Sequence, residues 1–88
     1  MKQNPDYILR TVAGSTVLVP VGDATKDFPG MITMNATSAF LWETLSQSQT
    51  AESLMEALCS RYDVTPQQAK EDVDKFLHTL TLVGAVIA

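Results

Sequence analysis

Short runs of β-branched and aliphatic residues, separated by turn formers, occupy the first third of the chain. Residues 7–12 and 16–20 form two such runs around the loop residues 13–15, and this arrangement predicts an antiparallel hairpin. A loop at 21–30, with two glycines and a proline, precedes a third short run at 31–34. The pattern therefore predicts three strands before any helix.

Two helices are predicted in the middle of the chain. Residues 36–47 contain strong helix formers and no glycine or proline, and Asn35 precedes them as a favourable N-cap. The apolar residues of this helix cover so wide a surface that burial on more than one side is expected. A second helix follows Thr50 as N-cap, because apolar residues then recur at the spacing of one helical face. These residues are Ala51, Leu54, Met55, Leu58, Cys59 and Tyr62.

A third helix is predicted after Thr65, which is suited to be its N-cap. Pro66 occupies the first helical position, where its missing N–H costs nothing, and Gln68 stands where a capping box requires it. Apolar residues continue at helical spacing up to Gly84, a natural residue just past a helix end. They are Ala69, Val73, Phe76, Leu77, Leu80 and Val83. The apolar tail at 85–88 is expected to be extended and to pack on the sheet.

The facing apolar stripes of the helices predict the hydrophobic core. Trp42 is also expected to be buried, with an acceptor for its indole N–H. Cys59 lies on the apolar side of the second helix, where a cysteine behaves as a small hydrophobe. The predicted core residues are Phe40, Leu41, Leu45, Leu54, Met55, Leu58, Val73, Phe76, Leu77 and Leu80.

Length, charge and cysteine content limit the function. Eighty-eight residues allow one domain, 1–88, and so small a domain is a poor scaffold for a deep substrate cavity, so an enzyme is not expected. Ten acidic and six basic residues leave a net charge of −4, which opposes nucleic-acid binding. A single cysteine cannot form an intramolecular disulfide and indicates a reducing compartment. No targeting segment and no run of about 20 apolar residues is present, so we expect a cytoplasmic chain without membrane insertion.

No cluster of residues in the sequence predicts catalysis or a metal site. His78 is the only histidine and is expected to face solvent, and Cys59 lies on another helix without a base beside it. Glu71, Asp72 and Asp74 fall in the first turns of the third helix, where carboxylates interact favourably with the helix dipole. We therefore expect no metal, no cofactor and no catalytic residue.

Two kinds of interaction surface remain as hypotheses. Three strands cannot close into a barrel, so a sheet edge presents N–H and C=O groups to which an extended peptide could add as a strand. The same edge could instead be covered by the 21–30 loop, or pair with a second copy in a weak homodimer. The alternative is a winged-helix, DNA-binding transcriptional regulator, although acidic neighbours offset the two lysines of its third helix. Its third helix would present Gln67, Gln68, Lys70 and Lys75.

Several short motifs in this order resemble the PqqD family, that is, coenzyme PQQ synthesis protein D and related RiPP recognition elements. The resemblance rests on the Val-Leu-Val-Pro-Val-Gly segment at 17–22, the strand-to-helix junction at 30–42, the segment 50–64 and the segment 72–86. It implies an α+β, winged-helix-like domain with a three-stranded antiparallel sheet followed by three helices. Met34 stands where the family usually has leucine, a change that conserves volume.

The resemblance also implies a function. Members of the family bind the leader region of a ribosomally made precursor peptide as a strand added to their third strand and packed against their third helix. They present it to a modifying enzyme, often a radical SAM protein, as in coenzyme PQQ biosynthesis. For this chain the resemblance implies a noncatalytic peptide-binding adaptor, a peptide chaperone, with no nucleic acid or membrane as partner. The implied peptide-binding residues are Met31, Ile32, Thr33, Met34, Asp72, Phe76 and Thr79.

Overall fold

The structure is a computed structural model that describes residues 1–27 and 30–88. Its elements are β1 (Lys2–Gln3), β2 (Tyr7–Val12), β3 (Ser15–Pro20), α1 (Ala24–Asp27), β4 (Ile32–Met34), α2 (Ala36–Thr44), α3 (Ala51–Arg61), α4 (Pro66–Leu82) and β5 (Val86–Ile87). The predicted α+β architecture, with a three-stranded antiparallel sheet ahead of the three longer helices, is confirmed. The predicted loop at 21–30 contains the short helix α1, and its residues 28 and 29 lie outside the described residues.

A tight hairpin joins β2 to β3. Ala13 and Gly14 both have positive φ angles, 51° and 82°, as a two-residue type I′ turn requires. Ser15 pairs with Val12 and begins β3, so the loop is one residue shorter than the predicted 13–15. β4 pairs antiparallel with the other side of β3, which gives the strand order β2-β3-β4.

The sheet has one buried face and one outward face. Leu18, at the centre of the sheet, is fully buried and belongs to the core together with Tyr7 and Met34 from the neighbouring strands. On the opposite face, Ile8 and Val12 of β2 remain exposed, whereas Val17 of β3 is buried there, apart from the core. Within the described chain, the helices therefore pack against one side of the sheet.

The three longer helices begin where the sequence predicts. Asn35, Thr50 and Thr65 each accept a hydrogen bond from the backbone N–H three residues further on, which confirms all three N-caps. α2 ends at Thr44 rather than at residue 47, because the polar residues from Ser46 onwards form the turn that leads to α3. Helix starts are therefore predicted more accurately than helix ends.

The core lies between the inner face of the sheet and these three helices. Seven of the ten predicted core residues and Trp42 are buried, as expected. Phe40, Met55 and Leu77 are instead only partly buried and pack against the edge of the core. The strands, the short helix α1 and the C-terminal segment supply buried residues that the predicted stripes did not include: Tyr7, Leu18, Ala24, Met34, Ala85 and Val86.

Cys59 is exposed, so its predicted position on the buried side of α3 is wrong. Leu54 and Leu58 are fully buried and define the inner face of this helix. Successive residues of a helix are rotated by about 100° around its axis, so Cys59 lies on a different side of α3 from both leucines. The buried face of α3 is therefore narrower than its apolar stripe. His78 is exposed, as predicted.

A second, two-stranded sheet joins the two ends of the chain, because β1 pairs antiparallel with β5. The C-terminal tail is thus extended as predicted and pairs with the N-terminal segment, and its Val86 belongs to the same buried core as Tyr7 and Leu18 of the main sheet. Asn4 strengthens this connection through its backbone N–H to the Ala85 carbonyl and its side chain to the Gly84 carbonyl, both at 2.8 Å. The Tyr7 hydroxyl donates to the Val83 carbonyl.

Candidate functional site

β4 forms one edge of the main sheet. In the described chain it pairs with β3 alone, so its other side carries main-chain groups without a strand partner. Val12 and Ser15 flank the two-residue turn and form a hydrogen-bonded pair, and such pairs recur at every second position of an antiparallel ladder. The 2.7 Å bond from the Val21 N–H to the Asp6 carbonyl fits this alternation. The hairpin register therefore determines which groups β4 directs outwards.

The alternation directs the main chain of Thr33 to the open edge. Thr16 and Leu18 do not bond to β2, so their N–H and C=O groups point at β4 and pair with its two end residues. Val17, in contrast, bonds to β2 and stands opposite Thr33. The Thr33 N–H and C=O groups consequently point away from β3.

A groove of about 240 Å³ lies beside this edge, between β4, the start of α2 and the middle of α4. Its floor is apolar, since Leu41, Phe76 and Leu80 are at most 6% exposed. Its rim is polar and includes Thr33 and Lys75. A floor and rim of this kind can hold an apolar side chain of a ligand whose polar groups remain at the surface.

Six of the seven residues predicted for the site line the groove. They are Ile32, Thr33, Met34, Asp72, Phe76 and Thr79. The predicted third strand is β4 and the predicted third helix is α4. The structure thus brings together β4 and one side of α4, which are distant in sequence. Met31 is not among the lining residues; it precedes β4 and is 60% exposed.

The groove also contains residues that sequence reasoning did not assign to it. Leu41 and Leu80 were predicted as core, and they are at once core residues and the groove floor. Lys75 lies three residues after Asp72 and four before Thr79, so the helical spacing was a signal that could have included it. The remaining residues come from the start of α2, and no pattern in the sequence placed them beside α4. They are Asn35, Thr37 and Ser38.

Hydrogen bonds and one ion pair engage most of the polar side chains at the start of α4. The Lys70 Nζ lies 2.8 Å from Asp74 Oδ2, and this hydrogen bond and the attraction of the carboxylate raise the pKa of Lys70. Gln68 Nε2 donates to Asp72 Oδ1 at 2.9 Å. The predicted capping box is therefore wrong. The Gln68 side chain bonds to Asp72, one turn ahead, instead of accepting a hydrogen bond from the backbone N–H of the N-cap Thr65. Lys75 has no ion pair or hydrogen bond within the described residues.

His78 and Cys59, the two side chains considered for chemistry, lie apart. Both are exposed, they stand on different helices, and neither lines the groove. Among residues 1–27 and 30–88, no group of three or more His, Cys, Asp or Glu side chains is placed to hold a metal ion. In the same part of the chain, no helix combines the length and apolar character needed to span a membrane.

A family model that covers most of the chain identifies its family. The model described as Coenzyme PQQ synthesis protein D (PqqD) matches residues 7–86. The chain belongs to the PqqD family. The matched segment runs from the first residue of β2 to the first residue of β5, so the groove of this PqqD-family chain lies entirely within it.

A solved structure shares the fold of this PqqD-family chain. It is described as TbiB1 in complex with the TbiA(beta) leader peptide, and it superposes with a TM-score of 0.74. The alignment covers 97% of this chain and 93% of the other, with 19% sequence identity. A likeness at this identity establishes the fold. A search of curated protein sequences gave no match.

Proposed function

We propose that this PqqD-family chain is a noncatalytic adaptor that binds the leader segment of a ribosomally made precursor peptide. The observation that carries the proposal is the open edge of β4 at the rim of an apolar groove. An extended peptide paired with β4 gains main-chain hydrogen bonds from Thr33 and can direct alternate side chains towards the floor. Strand addition needs both features, and here they are adjacent.

The other edge of the sheet is a weaker candidate for this role. β2 also has an open side, and with six residues it is longer than β4, which has three. No residue of β2 lines the groove, however. A peptide added there would gain main-chain bonds without a side-chain pocket, and specific recognition therefore favours β4.

The comparisons support a leader peptide as the ligand. The TbiB1 structure, which shares this fold, is described as a complex with a leader peptide. The adaptor would present its bound peptide to a modifying enzyme, either a radical SAM protein or another peptide-modifying enzyme. In this proposal the chain acts in the cytoplasm as a single domain and contributes binding rather than chemistry.

DNA binding by α4 has less support. Three of the four side chains considered for DNA contact bond to acidic side chains one turn ahead in the helix, through the pairs Gln67–Glu71, Gln68–Asp72 and Lys70–Asp74. Residues 36–88 carry seven acidic and three basic residues, whereas residues 1–35 carry three of each. The whole net charge of −4 therefore lies in the helical part of the chain. Such a field repels the phosphate backbone that would have to approach it.

An NMR titration tests the proposed function. Synthetic peptides that span short reading frames encoded beside this chain's gene are added to the isotope-labelled protein, and backbone amide shifts are followed. We expect saturable shifts in β4 and α4, and none with peptides of scrambled sequence. Shifts confined to α3, with β4 and α4 silent, would contradict the proposal. Binding that weakens steeply with salt and requires duplex DNA would favour the alternative.

The same edge is proposed to support a weak homodimer when no peptide is present. β4 of one molecule can pair with β4 of another, because both present unpartnered main-chain groups. Peptide and second copy would then compete for one edge. Sedimentation velocity should show a dimer that decreases as peptide is added, and a dimer that persists at saturating peptide would place the contact elsewhere.

A further inference from the structure

We propose that Lys75 makes the groove selective for a peptide with an acidic residue two positions from an apolar residue. This inference rests on the proposed function, because it specifies the chemistry of the peptide that the same groove takes. It arises from a lysine that lies beside an apolar floor and has no ion pair in the part of the chain that the structure describes.

Lys75 differs from the other two basic residues of the three longer helices, α2 to α4. Lys70 pairs with Asp74 at 2.8 Å, and the Arg61 guanidinium lies 5.6 Å from the centre of the Tyr62 ring. Within the described residues, Lys75 has no ion pair, hydrogen bond or ring contact. Of the three, it is also the one that lines the groove. Its ammonium group is therefore available to a ligand in the groove.

The acidic residue on the same rim does not neutralise Lys75. Asp72 lies three residues earlier on the same side of α4, yet the two side chains form no ion pair. Asp72 Oδ1 instead accepts a hydrogen bond from Gln68 Nε2 at 2.9 Å. A basic peptide residue at Asp72 would have to share that carboxylate with Gln68, whereas an acidic residue at Lys75 meets an unused donor.

The length of the groove sets the spacing in the peptide. Its α4 wall extends from Asp72 to Leu80, which is about 12 Å of helix. About four residues of extended peptide cover this length, so two inward side chains fit, two positions apart. The groove volume of about 240 Å³ exceeds the roughly 150 Å³ that accommodates benzene in an apolar cavity. One inward side chain can therefore be a large apolar group on Phe76 and Leu80, and the next lies at the rim beside Lys75.

Selection from a random library tests this preference without a known ligand. Nine-residue peptides displayed on phage are selected on the intact chain at about 0.15 M salt, where long-range charge effects are largely screened. We expect enrichment of Asp or Glu two positions from an apolar residue, in either order. With Lys75→Glu, the enriched residue should become Lys or Arg. Lys70→Glu makes the same charge change on the same helix outside the groove, and it should keep the original preference.

Calorimetry on one selected peptide measures the contribution of the pair. Lys75→Met should weaken binding about two- to fivefold, as expected for a solvent-exposed ion pair. Replacing the peptide's acidic residue with its amide should weaken binding by a similar factor. The two changes together should cost no more than either alone, because each removes the same interaction.

The outcomes separate this inference from the proposed function. Extended apolar peptides enriched without an acidic residue, or a preference unchanged by Lys75→Glu, would refute the role of Lys75 and leave peptide binding intact. Basic residues at that position in the selection on the unaltered chain would show that Asp72 determines the preference, which also refutes it. Two results would overturn the proposed function itself. One is a selection that enriches no peptide, and the other is a selection on the Thr33→Pro variant that enriches the same peptides as the unaltered chain.

Discussion

Replacing Thr33 with proline should strongly weaken peptide binding and leave the fold intact. The register directs the Thr33 N–H away from β3, so proline removes a donor that the sheet itself does not use. The Thr33 side chain is exposed, so the substitution removes no core contact. Ile32 is the opposite case, since the same register places its N–H in a bond to β3 and its side chain packs against the core. Ile32→Pro should therefore damage the sheet.

The expected loss of peptide-binding free energy in Thr33→Pro follows from the loss of one hydrogen bond. A peptide carbonyl that pairs with the Thr33 N–H would be left without a donor, at a cost of about 1–3 kcal/mol. Because about 1.4 kcal/mol corresponds to a tenfold change, Kd should rise roughly five- to 150-fold. The proline ring also occupies space that the peptide backbone needs, which moves the result towards the upper end. Thr33→Ala keeps the N–H and should change the binding free energy by less than about 0.5 kcal/mol.

Calorimetry measures Kd for each variant, and urea unfolding followed by circular dichroism measures the fold. Thr33→Pro should have an unfolding midpoint close to that of the unaltered chain, whereas Ile32→Pro should have a clearly lower one. Unchanged affinity in a folded Thr33→Pro variant would refute strand addition at β4. A variant pair in which Thr33→Pro unfolds and Ile32→Pro does not would instead show that the register is wrong.

Three further predictions concern the free energy of unfolding in urea. Leu58→Ala should lose about 2–5 kcal/mol because the Leu58 side chain is fully buried. Cys59→Ala, at the next and exposed position, should change the free energy of unfolding by less than about 0.5 kcal/mol. Equal effects of the two substitutions would contradict the assigned buried face of α3. Tyr7→Phe should lose about 1–3 kcal/mol because the Val83 carbonyl loses its donor, and an unchanged stability would argue against this link between the chain ends. Gly84→Ala should lose about 1–2 kcal/mol because the φ angle of +79° disfavours a Cβ even where nothing lies within 4 Å of it; a neutral result would exclude this left-handed helix end.

The helices and the hairpin could be predicted because their signals are local. A cap such as Asn35 or Thr65 acts on a backbone N–H three residues away, and an apolar stripe repeats within one turn. The glycine of the β2–β3 turn is likewise needed for the φ angles of the turn itself. Each signal lies within a few residues of the structure it specifies, so the sequence alone contains it.

The extent of burial could not be predicted in the same way. Cys59 and Leu58 are neighbours on one apolar stripe, yet one is exposed and the other fully buried. Leu77 belongs to the stripe of α4 and is only partly buried. A stripe shows which side of a helix is apolar, whereas the width that becomes buried depends on how closely neighbouring helices approach. That approach is a property of the assembled fold.

The sequence by itself determined the elements, the family resemblance and the residue types on β4 and on one side of α4. Only the tertiary structure decided that these two segments meet in a groove, that the Thr33 main chain faces outwards and that Lys75 has no partner among residues 1–27 and 30–88. The physical reason is that side-chain periodicity belongs to a single element. The direction of a strand's N–H groups depends instead on its register with the neighbouring strand, and a groove forms only where segments distant in sequence pack together.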